Sequence, residues 1–387
     1  MSFGGSLTLP RLTLPHLDFG LWTPDFRLAA MLNTLTEQLR RREHLSDEQV
    51  QSAISHLTSE AVAPETKADF LTALALKAET TEEIAAFARQ LRELSVQPPL
   101  DAATRAREIL DVCGTGGDRL NTFNISTTVA IVCASAGVTV AKHGNRAITS
   151  QAGSADVLEA LGIRIDLTPE EAASSLREQH FAFFFAQKYH PAFKHIGPAR
   201  KLCAERGQRT IFNFLGPLLN PARPSAQLVG VPRPQLCEPM ARVLQSLGVR
   251  RGMVVSGRVS KVEGPGSKVQ GAEAHLDEYS TLGENTVSEF YQDRGFATSI
   301  LAPENFPLQQ SSLADLAGGD RETNAGIVRR LLGGEERGPK RDAVLLNAAA
   351  ALFVAGKARS LTEGWELAAH LVDSGEAAKK LKTLAGS

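Results

Sequence analysis

The chain has 387 residues, 43% of them hydrophobic and 22% charged, enough for about two domains with sizeable cores. Its 42 basic and 43 acidic residues leave a net charge of −1, which favours neither nucleic acid nor a membrane surface as a partner. The four cysteines, Cys113, Cys133, Cys203 and Cys237, are scattered and form no CxxC pair. They suggest neither a disulfide framework nor a zinc site, and a cytoplasmic compartment is expected. The opening "MSFGGSLTLPRLTLPHLDFG" lacks the basic start and apolar core of a secretory signal, and no apolar run is long enough to span a bilayer.

Residues 1–27 contain prolines and glycines without clean periodicity and read as an N-terminal extension. From Leu28 to about Val96 the pattern is helical. "SDEQ" (Ser46–Gln49) and "TTEE" (Thr80–Glu83) fit capping boxes, in which a hydroxyl and an acid or amide satisfy orphan N–H groups. With no strand candidate in it, the stretch 28–100 reads as a small all-helical domain. "VQPPLDAATR" is a linker, because its prolines interrupt both periods.

Strands and helices then alternate. "EILDV", "VTVAKHG", "IRIDL" and "FAFFFA" are strand candidates. "NISTTVAIVCASAG", "SADVLEALG" and "TPEEAASSLREQ" are helices, the last with Thr168 as N-cap, Pro169 at N1 and Glu171 at N3. The fold class is therefore α/β: a small helical domain plus a large domain with a mostly parallel central sheet, over residues 104–188 and 219–387. "GMVVSG" adds a strand to it, and "KRDAVLLNAAAALFVAGKARSLTEGWELAAHLVDSG" adds two helices. The polar, glycine-rich stretch Gly257–His275 is expected to be a mobile loop.

Several stretches carry chemistry. "DVCGTGGD" leaves a strand directly, with Gly114, Gly116 and Gly117 allowing a sharp turn whose N–H groups face a ligand unobstructed. The helix after it begins near Asn124 or Ile125 and carries Ser126, Thr127 and Thr128. Free N–H groups, hydroxyls and the helix dipole together favour a phosphate. Read alone, the same glycines also mark a plain strand-to-helix turn. "AKHGNR" ends the next strand, so both loops should meet beyond the strands' carboxyl ends. Lys142, His143, Asn145 and Arg146 there are donors or a solvated basic turn. Gly153 and Ser154 start another helix. Asp277 and Glu278 in "HLDEYS" face solvent or, beside a phosphate, hold Mg²⁺. In "YHPAFKHIGPAR", Arg200 suits a bidentate grip on a carboxylate or belongs to a surface helix.

The ordered set "GTGGD", "NIST", "KHGNR", "GSADVLEALG", "HPAFKH", "RTIFNFLGPLLNPA", "LDE" and "RDAVLLNAAAAL" resembles the anthranilate phosphoribosyltransferase family. That family has the nucleoside phosphorylase type III-like fold. The resemblance implies that the amine of anthranilate attacks C1′ of phosphoribosyl pyrophosphate (PRPP) and pyrophosphate leaves, a step of tryptophan biosynthesis. It implies that Gly114, Thr115, Gly116, Gly117, Asp118, Asn124, Ser126, Thr127, Lys142 and Ser154 bind PRPP. Gly114, His143, Asn145, His190 and Arg200 would line the anthranilate channel, with Arg200 facing the carboxylate. Ser126, Asp277 and Glu278 would hold Mg²⁺, with two ions per subunit. No residue is assigned as a general acid or base, since an aryl amine is already neutral at pH 7. A homodimer joined through the helical domain is also implied. That domain would be completed by a returning helical segment near 190–218.

Four features depart from the family pattern: the extension 1–27, the long loop 257–275, Ser256 where a histidine is common, and Gln151 where a lysine is common. Pyrimidine nucleoside phosphorylases resemble this fold but differ after the motif lysine. Related nucleic-acid-binding proteins should show a basic face and eroded glycine and acidic motifs. "KHGNR", "GTGGD", "LDE" and the net charge oppose both.

Overall fold

The computed structural model describes Met1 and residues 24–147, 151–259, 274–292 and 294–386. The expectations for the N-terminal extension and for the tip of the 257–275 loop fall largely outside these residues.

Four helices open the described chain: α1 (Pro24–Arg40), α2 (Asp47–Leu57), α3 (Pro64–Lys77) and α4 (Thr81–Glu93). Both expected capping boxes form. Ser46 Oγ accepts from Gln49 N–H at 3.3 Å and Thr80 Oγ1 from Glu83 N–H at 3.2 Å, each with the reciprocal bond. A short helix, α5 (Ala102–Arg105), leads into the sheet.

The strands are β1 (Ile109–Gly114), β2 (Thr139–Gly144), β3 (Phe181–Phe185), β4 (Ala226–Gly230), β5 (Arg251–Val259), β6 (Ala274–Leu276), β7 (Asn285–Tyr291) and β8 (Arg294–Leu301). Their order is β3-β2-β1-β4-β5-β7-β8, with β6 also paired to β5. Strands β1 to β5 pair in parallel, whereas β6, β7 and β8 are antiparallel additions. From β1 the chain runs outward through α6 (Ile125–Ser135) to β2. It continues through α7 (Ser154–Ala160) and α8 (Pro169–Gln179) to β3, then returns to β4 on the other side of β1. The strand order therefore reverses between β1 and β4, where open α/β sheets form a ligand crevice.

One sequence expectation fails here. "IRIDL" is not a strand. Ile163 and Ile165 alternate inward as a strand's residues would and enter the core, but the segment forms no ladder with β3, the terminal strand of the sheet. Conversely β4 carries a fully buried Gln227, which breaks its apolar run. The side chain is tolerated because Nε2 donates to Pro217 O at 2.9 Å.

Between β3 and β4 lie α9 (Ala186–Tyr189), α10 (Gly197–Glu205) and three single 3-10 turns. Ile196, Ala199, Cys203, Ile211, Phe212, Leu215 and Leu218 from this excursion enter the core of the α1–α4 bundle. That core continues without a break into α11 (Cys237–Ser246) and into Val229, Val231, Val254 and Phe290 on the sheet. On the opposite face, α6 packs with α12 (Arg321–Leu332), α13 (Pro339–Val354), α14 (Leu361–Asp373) and α15 (Glu376–Ala385).

Candidate active site

The glycine loop leaves β1 at the switch point. Thr115 N–H donates to Gly230 O at 3.0 Å, tacking the loop to the end of β4. Gly116 adopts φ +75°, a left-handed conformation that costs glycine little, and its N–H donates to Asp277 Oδ2 at 2.6 Å. Asp277 lies hard against both strand ends. A Cβ on Gly114 would sit 2.5 Å from Asp277 Oδ2, and one on Gly230 would overlap the Asp277 main-chain oxygen. At the start of α6, Ser126 N–H donates to Glu278 Oε1 at 3.1 Å. Two main-chain donors of the loop and helix thus already hold carboxyl oxygens, as a phosphate cradle holds phosphate oxygens.

Burial is the main force on this cluster. It raises the Asp277 carboxyl well above its usual range, and Asp118 and Glu278 push the same way. Burial likewise pushes Glu278 up to about 7, partly offset by Lys142. Lys142 is itself buried, with Nζ donating to Val112 O at 2.7 Å and to Ser126 Oγ at 3.4 Å. Desolvation lowers its pKa, while Asp111 and Glu278 favour the charged form.

Among the described residues, no three His, Cys, Asp or Glu side chains are placed to hold a metal ion by themselves. Asp277, Glu278 and the Ser126 hydroxyl are an all-oxygen set, however. That fits Mg²⁺, which takes one or two carboxylates and completes its shell with waters and substrate phosphates. Two crowded, desolvated carboxylates are also the arrangement a divalent cation relieves.

A cavity of about 330 Å³ opens above these groups. All the residues expected from the sequence line it except Gly117, which faces Pro232, and His190 and Arg200. The last two are reached along a chain of ring contacts. The His143 ring meets the His190 ring edge-on at 5.2 Å, His190 meets Phe193 at 5.2 Å, and Phe193 meets Phe212 at 5.6 Å. The Arg200 guanidinium lies over Phe212 at 5.3 Å. Among the described residues it has no carboxylate partner, and burial pulls its pKa down. Burial, reinforced by His190, pushes His143 down to about 3, and burial pushes His190 down to about 4. Both imidazoles are neutral at pH 7. His143 Nδ1 lies 3.2 Å from Gly216 O, which can only accept, so Nδ1 carries the hydrogen and the buried Nε2 is a bare acceptor.

The structure adds residues the motifs did not single out. Arg119, Asn121 and Phe123 line the cavity, on a turn where Arg119 and Asn121 take φ of 59° and 53°. Asn220 is fully buried, donating to Asp111 Oδ2 at 2.9 Å and to Ala141 O at 2.7 Å, while Asp111 Oδ1 accepts from His143 N–H at 3.2 Å. Asn347 on α13 brackets Tyr279 just after the acidic pair. It accepts from Tyr279 N–H at 2.8 Å and donates to Tyr279 O at 2.9 Å. The available signal was an asparagine inside an apolar run, because a buried amide needs partners. Of the departures, Gln151 is exposed next to the cavity rim, and Ser256 is buried on β5 with no partner for its hydroxyl among the described residues.

Residues 106–378 match the glycosyl transferase family α/β domain, and residues 33–95 match that family's helical bundle domain. An anthranilate phosphoribosyltransferase of Petrotoga mobilis is 43% identical over 354 residues, covering 92% of this chain and 96% of that protein. The chain belongs to the anthranilate phosphoribosyltransferase family. The crystal structure of the family member from Thermus thermophilus aligns with TM-score 0.79 at 41% identity, over 91% of this chain and 98% of that one. The Saccharomyces cerevisiae family member, solved in complex with PRPP and Mg, aligns with TM-score 0.79 at 27% identity, over 92% and 97%.

Proposed function

We propose that this protein transfers the phosphoribosyl group of PRPP to the amine of anthranilate, giving N-(5-phosphoribosyl)anthranilate and pyrophosphate in tryptophan biosynthesis. One observation carries the assignment of ends. A cradle of main-chain donors and paired carboxylates at the β1/β4 switch point is joined by a ring-lined path to Arg200, a half-buried guanidinium with no carboxylate partner among the described residues.

PRPP lies across Gly114–Asp118, Asn124, Ser126 and Thr127, with Lys142 and Ser154 at its phosphate ends. Asp277, Glu278 and Ser126 are the residues that would hold Mg²⁺. When bound, the metal neutralises charge on the leaving pyrophosphate. Two ions per subunit are part of this reading, with substrate oxygens and waters completing both shells. Anthranilate enters past His190 with its carboxylate on Arg200, a planar fork suited to bidentate binding. Its amine meets PRPP near Gly114. The C1′–N bond forms as the C1′–O bond to pyrophosphate breaks, with inversion, and the acidic anilinium nitrogen so formed releases one proton to water. The His143 ring lines the same cavity, neutral and held by Gly216 O, and flanks the amine. Most of the rate comes from positioning and from donors aimed at the departing oxygens.

The same reading includes a homodimer joined through the helical unit, where Met31 on α1 and Leu76 on α3 are 53% and 66% exposed. Exposed apolar side chains suit a subunit contact. A cytoplasmic location is supported by four cysteines that are all free. The test is the loss of anthranilate fluorescence with purified protein, PRPP and Mg²⁺. A decrease abolished by EDTA is expected. No decrease with folded protein overturns the assignment.

A further inference from the structure

Asn324 on α12 is 2% exposed and does not line the cavity, yet the polarity of both its ends is fixed. Gly319 N–H donates to Asn324 Oδ1 at 2.8 Å. A main-chain N–H can only donate, so that end must be the oxygen. The other end, Nδ2, donates to Asn124 Oδ1 at 2.9 Å. The Asn124 amide is thereby turned so that its NH₂ group faces the opposite way, toward Ala152 O at 3.4 Å, a second group that can only accept. Asn124 itself lines the cavity.

The segment before α12 holds this arrangement in register. Phe123 N–H donates to Leu316 O at 3.1 Å and Gly318 N–H to Asn121 O at 2.9 Å. Thr122 and Ala317 form an antiparallel bridge between the same two segments. A Cβ on Gly318 would lie 2.8 Å from both Asn324 Oδ1 and Phe123 Cα, so the strap fits this closely only as glycine.

We infer that Asn324 is a positioning residue that sets the hydrogen-bond polarity of the PRPP site, obliging Asn124 to present donors rather than its oxygen to the substrate's anionic oxygens. The inference rests on the proposed function. Without Asn324 the Asn124 amide keeps only its long 3.4 Å contact to Ala152 O, and turned over it would place an oxygen against a phosphate. The information that fixes it runs from a main-chain N–H 195 residues away, through one buried amide, to the ligand.

The experiment is a calorimetric titration of PRPP with Mg²⁺ into the full chain, which needs no turnover, paired with KM for each substrate. Asn324→Ala should weaken PRPP about 10-fold while anthranilate KM stays within about 2-fold. In an Asn124→Ala background the same change should cost less than about 2-fold, because the residue through which it acts is gone. Asn324→Asp keeps the shape and still accepts from Gly319, so it decides the matter if Asn324→Ala fails to fold. Its second oxygen can only accept, which turns the Asn124 amide over. It should weaken PRPP about 100-fold in the native background and at most about 10-fold without Asn124, where only its charge remains. Equal losses in the two backgrounds, or equal losses for both substrates, overturn the inference. Native protein that fails to bind PRPP overturns the proposed function beneath it. Native protein that binds PRPP, with variants that bind equally well, overturns the inference alone.

Discussion

At the glycine-loop end of the site, carboxyl oxygens meet main-chain N–H groups and buried acidic side chains crowd one another. At the Arg200 end, a guanidinium lies on an aromatic ring and two neutral imidazoles line the way to it. The first end is built from backbone and tolerates almost no added atoms. The second is built from side chains stacked on each other, so its properties are spread over several residues. A polyanionic ligand needs many fixed donors, whereas a flat aromatic acid needs an apolar slot and one charge. The contrast predicts that changes at the first end are steep and unspecific in outcome, and that changes at the second are graded and selective.

The largest effect is expected from Gly230→Ala. Its Cβ would overlap the Asp277 main-chain oxygen and so displace the acidic pair from the loop. Fluorescence assays should show a loss of activity on the order of 10³-fold or more, as for misplacing a whole stabilising group. Activity near native would show that this close approach does not hold the acidic pair in place. Next, Asp277→Asn should lower kcat/KM on the order of 10²-fold and raise the Mg²⁺ concentration needed for half activity. An unchanged Mg²⁺ requirement would separate Asp277 from the metal.

At the other end, Arg200→Ala should raise anthranilate KM about 10- to 100-fold, the worth of a charged hydrogen bond, with PRPP KM within about 2-fold. Equal losses for both substrates would erase the distinction between the ends. The last expected effect concerns acid and leaves activity at neutral pH aside. The folded pKa of His190, about 4, is below its unfolded value of about 6.5. Below pH 6.5 the unfolded chain therefore binds the extra proton. The contribution of neutral His190 to stability is complete above that pH and fades as pH falls toward 4, by on the order of 3 kcal/mol. Denaturant melts of His190→Phe should lack this part of the acid destabilisation. A variant that loses stability with acid as the native chain does would show that His190 does not titrate in this way.

How far the sequence reveals the site follows the same division. "GTGGD", "KHGNR" and "LDE" stand out because each demands a special backbone or an unusual charge density within a few residues, and the fold brings them to one cavity. The alternation of strands and helices likewise announces a parallel sheet. The reversal of strand order at β1/β4 is not legible, because pairing partners are chosen across the whole chain. "IRIDL" has a strand's alternation but uses it only to set two isoleucines into the core, with no ladder. Asn347 stands out only as an amide inside an apolar run, and Asn324 not even as that, because their partners lie 68 and 200 positions away. The ring path is similarly hidden, since phenylalanines in core and in channel look alike until they are packed.

The core that runs from the α1–α4 bundle through α10 and α11 onto β4, β5 and β7 has a consequence for recombination. Family motifs divide the chain near residue 100, which is an inviting crossover for chimeras between relatives. A crossover there would pair one parent's helices with the other parent's Ile211, Phe212, Met240 and Phe290, side chains that fill a single interior. Chimeras that also exchange residues 190–254 and 285–291 keep that interior from one parent, and they are the ones expected to melt in a single cooperative transition.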